Sequence, residues 1–69
     1  MEFKEILISL RKEQNYTQKH MSNFLSMSET GYASWEQGLS EPSISAIKKL
    51  CGIFDVSANH LLGIDDTKY

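Results

Sequence analysis

The chain has 69 residues, with nine Asp plus Glu against seven Lys plus Arg, one cysteine and 41% hydrophobic residues. A domain of this size buries only ~60% of the surface it exposes when unfolded, so it holds one thin core and no deep catalytic cleft, which excludes most enzyme classes. One cysteine makes no internal disulfide, His20 and His60 make no metal-ligand cluster, and no apolar run or leader is present; the expectation is a cytoplasmic domain held by packing, with no metal, cofactor or membrane span.

Gly and Pro punctuation is sparse and period-two alternation almost absent, so short helices are favoured over strands. Phe3, Leu7 and Leu10, with Ile6 beside them, recur at helical steps and predict a first helix over 3–13. Asn15 tolerates the left-handed backbone that ends a helix, and Thr17 can cap the next one. That second helix buries Met21 and Leu25, with Ser22 small enough for close approach, and ends near Leu25. Ser26, Met27 and Ser28 form a sharp corner, and Ser28 caps a third helix, Glu29–Gln37, stopped by Gly38. Tyr32 and Trp35 face inward on it, while Gly31 costs ~1 kcal/mol relative to alanine. After a loop to Pro42, Ser43 caps a fourth helix with Ile44, Ile47, Leu50, Cys51 and Phe54 at helical spacing. Ser57 caps a short fifth helix carrying Leu61 and Leu62 to Gly63. Residues 1–64 are read as one domain and 65–69 as a polar tail that frays. The result is all-α, with a helix-turn-helix formed by helices 2 and 3.

The order Leu10-Arg11, Tyr16-Thr17-Gln18, Met21-Ser22, Leu25-Ser26-Met27-Ser28, Tyr32, Trp35-Glu36-Gln37-Gly38, Pro42-Ser43, Phe54-Asp55-Val56-Ser57 and Leu61-Leu62-Gly63 resembles the Cro/Xre (phage lambda-repressor-like) helix-turn-helix family over about residues 3–63. The resemblance implies a compact five-helix DNA-binding domain from a bacterium or phage. Helix 3 then enters the major groove, and a homodimer binds a near-palindromic operator in double-stranded DNA, most simply as a repressor. Carried across by position, Thr17, Gln18 and Lys19 open the helix that meets phosphate. Ser28, Glu29, Thr30 and Ser34 read bases, and Gln37 with the amides around Gly38 clamps phosphate. Arg11 and Glu36 match an ion pair that holds helix 3 at its angle. Four positions depart from the family: Asn15, Ser26 and Asp55 stand where glycine is usual, Asn15 at little cost, and His20 stands where a glutamate often closes the capping box.

Plainer readings apply elsewhere. Trp35 is a core residue, while Tyr32 packs its ring and leaves its hydroxyl either inside or within reach of phosphate. Cys51 is a small core hydrophobe, His20 is solvated or near phosphate, His60 is a surface residue, and Lys48-Lys49 is a solvated helix face. Ile8, Phe24, Leu39 and Ile53 fall outside the buried stripes. Of these, Leu39 and Ile53, with Leu62 and Ile64, are expected in a dimer interface, whereas Phe24 and Ile8 thicken the core. The acid excess and Glu29 keep open a different class: an antitoxin or antirepressor-type module that uses the fold to bind a protein partner. Within residues 17–41 the one full positive charge is Lys19, against Glu29, Glu36 and Glu41, so any DNA binding is expected to be weakly salt-dependent.

Overall fold

Short polar side chains decide where the helices start. In the computed structural model, which describes residues 2–64, the elements are α1 (Phe3–Glu13), α2 (Gln18–Phe24), α3 (Glu29–Gln37), α4 (Ile44–Phe54) and α5 (Ala58–Leu61), with no strand among the described residues. The polar tail expected at 65–69 lies outside them. Thr17, Ser28, Ser43 and Ser57 cap α2 to α5, each side-chain oxygen accepting from the amide three residues on. At α1 the Glu5 carboxylate reaches back to accept from the Glu2 amide at 3.1 Å.

The five helix ends share one device. Asn15, Ser26, Gly38, Asp55 and Gly63 are left-handed, at φ 60, 54, 76, 55 and 74°. The next residue in each case, Tyr16, Met27, Leu39, Val56 or Ile64, donates its amide back to the carbonyl of Arg11, Ser22, Ser34, Cys51 or Asn59. This Schellman arrangement satisfies a terminal carbonyl and turns the chain sharply, and it is usually accompanied by an apolar contact onto the helix just left. Tyr16, Met27 and Val56 pack against the core in this way, whereas Leu39 and Ile64 stay 75% and 54% exposed.

The core is formed by Ile6, Leu7 and Leu10 of α1, Met21 and Leu25, Tyr32 and Trp35, Leu50 and Phe54, and Leu61. α3 packs on α2 and α1, and α5 packs on α4 and α1. Ser22 is buried and donates its hydroxyl to the Lys19 carbonyl at 2.9 Å, which satisfies it inside the contact. Gly31 has a local reason: a Cβ there would lie 3.0 Å from Ser28 Oγ and 3.2 Å from Met27 Cε, crowding the cap and the corner together.

Three expectations about apolar side chains are corrected. Ile44, placed on the buried stripe of α4, is 77% exposed. As the first residue of the helix it lies roughly 100° round the axis from the Leu50–Phe54 direction, with nothing packed above it. Leu62, by contrast, follows α5 and is 41% exposed, as its expected place at an interface requires, while Leu61 carries the core contact. Phe24 does not thicken the core: it is 49% exposed and sits edge-on to Tyr16 at 5.0 Å between ring centroids, with His20 stacked beside it. Ile53, expected at an interface, is partly buried against the core instead. No helix among the described residues is long and apolar enough to cross a membrane.

Candidate nucleic-acid interface

The corner between α2 and α3 sorts their residues into an inner and an outer set. Inside, Glu36 is 7% exposed and accepts four hydrogen bonds from three helices. Arg11 of α1 grips it with two donors, Nε to Oε2 at 2.7 Å and Nη2 to Oε1 at 3.1 Å, and its third donor, Nη1, reaches the Tyr16 carbonyl at 3.0 Å. Gln18 of α2 donates to Oε1 at 3.0 Å, and the Tyr32 hydroxyl donates to Oε2 at 2.6 Å. Burial by itself pushes the Glu36 carboxyl up, but the bonds from Arg11, Tyr32 and Gln18 outweigh it and hold the carboxyl below its ordinary range. The Arg11 guanidinium is raised by the same bond. Burial and the neighbouring Glu36 carboxylate push the Tyr32 phenol up, so it remains a donor.

This network decides the place of the Tyr32 hydroxyl and gives Gln18 an inner partner. The Tyr32 ring is fully buried and its hydroxyl is committed to Glu36, so the reading in which it reaches phosphate is corrected. Gln18 is half-buried, with its amide nitrogen turned inward. As it stands, it braces α2 against the end of α3. The charge of Glu36 explains this choice, because a buried carboxylate draws any donor within reach.

On the outer side, Thr17 and Lys19 are exposed at the start of α2. Thr17 Oγ1 accepts from the His20 amide at 3.1 Å while His20 Nδ1 accepts from the Thr17 amide at 3.0 Å, so histidine closes the capping box in place of glutamate. Ser28, Glu29, Thr30 and Gln37 are exposed, and Ser34 is half-buried. At helical spacing Glu29, Thr30, Ser34 and Gln37 share the face of α3 opposite Tyr32 and Trp35. Half-buried Ala33 lies on that face between Glu29 and Gln37 and was missed in the sequence; the i+4 step from Glu29 marks it, but a small apolar residue carries no polar signal of its own. The Ser34 hydroxyl bonds the Gly31 carbonyl at 2.6 Å and the hydroxyl of Ser40. The amides around Gly38 do not form a clamp. Those of residues 38 to 40 are directed at the Trp35 and Ser34 carbonyls, because the Schellman end of α3 uses them.

The chain has curated relatives. It is 32% identical over 62 residues to the HTH-type transcriptional regulator AnsR of Bacillus subtilis (strain 168), covering 90% of this chain and 53% of the relative. It is 37% identical over 60 residues to the SPbeta prophage-derived HTH-type transcriptional regulator YonR of the same organism, covering 87% and 56%. With the HTH-type transcriptional activator BcrR of Enterococcus faecalis it shares 36% over 62 residues, covering 90% and 30%. The chain thus spans about half the length of the first two relatives and less of the third. No solved structure matches it significantly. The Helix-turn-helix family model matches residues 7–61, the same span that holds the capped corner, the Arg11–Glu36 pair and α3, and the chain belongs to this Cro/Xre-like helix-turn-helix family.

Proposed function

We propose that the chain is a sequence-specific double-stranded-DNA-binding transcriptional regulator that lays α3 in the major groove. The observation that carries this reading is the division of α3: Tyr32, Trp35 and Glu36 are buried and pinned, while Glu29, Thr30 and Gln37 are held exposed on a rigid helix. A rigid polar helix face of this width suits base edges, with Glu29 accepting from cytosine N4, Thr30 bonding either partner and Ala33 touching a thymine methyl. Ser34 contributes at the end of that face once its hydroxyl turns from Ser40. Lys19 supplies an ionic phosphate contact, and Thr17 and Ser28 frame the two helix starts.

Homodimerisation belongs to the same reading. Leu39, Ile44, Leu62 and Ile64 are exposed apolar side chains. Two or three of them buried across a twofold axis, at ~25 cal/mol per Å², contribute a few kcal/mol to pairing. Two recognition helices on one near-palindromic operator compensate for the few contacts a single small module makes. Repression is the simplest outcome, since a bound dimer occludes a promoter without further parts; the activator among the relatives makes the sign of regulation a question for a reporter gene.

Selection from random duplexes tests the reading. A single enriched motif with twofold symmetry supports it, and no enrichment by a demonstrably folded chain rejects it. The antitoxin-like alternative draws on Glu29, whose charge opposes phosphate. In that case a protein partner is retained after Glu29→Gln and Thr30→Val, while duplex DNA shows no motif.

A further inference from the structure

One lysine far from the helix-turn-helix in sequence is brought to the end of α3 by the fold. Lys4, in the first turn of α1, lays its stem across the Cα of Gly38: a Cβ at Gly38 would stand 3.1 Å from Lys4 Cδ and 3.4 Å from Nζ. Gly38 therefore serves twice, adopting the left-handed φ of 76° and leaving the space the lysine occupies. Glu2 and Glu41 line the same shallow cleft beside Trp35 and Ser40, yet neither forms an ion pair with Lys4. Among the described residues the ammonium has no hydrogen-bond or ion-pair partner. It sits where the amides of residues 38 to 40 were expected to hold phosphate, next to the exposed Gln37, and those amides are committed elsewhere.

We propose that Lys4 is a phosphate contact of the DNA-facing surface, carried to the end of α3 across the bare Cα of Gly38. The inference rests on the reading of α3 as the groove helix and adds a second cation to Lys19 on that surface. A lysine stem held against backbone presents its charge with little freedom left to lose, whereas a free surface lysine must be ordered on binding.

The test measures binding of the wild-type chain, Lys4→Gln, Lys4→Arg and Lys19→Ala to a selected duplex and to a scrambled one as salt is raised. Each ionic phosphate contact steepens the slope of log K against log salt by ~0.9, so between about 50 and 200 mM salt the wild type should lose about 3.5-fold more affinity than Lys4→Gln for each protomer bound, or about 12-fold for a dimer on its operator. The change should be equal on both duplexes and reversed by Lys4→Arg. A role confined to bracing the end of α3 moves the melting temperature and leaves the slope alone. If Lys19→Ala flattens the slope and Lys4→Gln does not, the inference about Lys4 fails while the groove reading stands. If the folded wild type binds neither duplex, both fall.

Discussion

Glu36 concentrates much of what holds this domain in one shape, because a single buried carboxylate collects donors from α1, α2 and α3. Removing one partner of such a pair leaves an uncompensated buried charge, which costs ~3–5 kcal/mol, comparable to the whole stability of a domain this small. Arg11→Met should therefore leave the chain largely unfolded by circular dichroism. Arg11→Met with Glu36→Met should recover much of the loss, and recovery no greater than additivity predicts would refute the coupling. Tyr32→Phe removes one charge-assisted bond and should cost ~1–3 kcal/mol in urea titration. The acid limb follows from the same site. The Glu36 carboxyl is held below its unfolded value, so its stabilisation is complete above the ordinary glutamate range near pH ~4.3 and is lost as pH falls through the lower folded value. Glu36→Gln should flatten that limb, whatever it does to stability at neutral pH. Arg11 and Glu36 were legible in the sequence by resemblance to the family. The two further donors were not read there: the i,i+4 step on α3 puts Tyr32 beside Glu36 without showing that its hydroxyl is committed to the carboxylate, and nothing in the spacing of Gln18 says that its amide turns toward a carboxylate of another helix.

At the scale of the elements, local chemistry was almost wholly readable. Thr17, Ser28, Ser43 and Ser57 mark four helix starts, and Asn15, Ser26, Gly38, Asp55 and Gly63 mark the ends, because caps and left-handed residues act within one turn of the chain. The family's departures are real in the backbone: Ser26 at φ 54° and Asp55 at φ 55° carry a Cβ in the left-handed region. That conformation costs a residue such as serine roughly 1–2 kcal/mol, partly offset in glycine by greater freedom of the unfolded chain. Ser26→Gly should accordingly raise stability by about 1 kcal/mol, read as a higher urea midpoint at unchanged m-value. A lower midpoint would mean that the serine side chain contributes something its φ does not reveal. What failed at this scale was the edge of an amphipathic stripe. Ile44 continues the i,i+3 spacing to Ile47, but it lies at the edge of the stripe, and the core that takes up Ala46 and Ile47 does not reach it.

For the whole molecule, the net charge of −2 becomes a statement about how DNA would be bound. Removing Asp65, Asp66 and Lys68, which lie outside the described residues, leaves seven acids against six bases, and Arg11 neutralises Glu36 within the fold. On the proposed reading Lys19 and Lys4 are the cations that meet phosphate, so the salt dependence should be shallow, with a slope of about two or less per protomer. Specificity and affinity should then separate by residue. Thr30→Val should change the selected motif, while Lys19→Ala should weaken all duplexes alike, and equal losses on every sequence from the Thr30 change would refute base reading. Leu39→Glu together with Ile64→Glu should shift the chain toward monomer in sedimentation and weaken operator binding without lowering helicity. By itself the sequence determined the helix order, the caps and stops, the corner between α2 and α3 and the family, all of which depend on neighbours within a few residues or on ordered motifs. Only the tertiary structure decided which polar groups are free for a ligand. It turned the Gln18 amide inward to Glu36 of α3 and brought Lys4 of α1 to Gly38. Those outcomes depend on how separate helices pack, and helix spacing alone does not encode them.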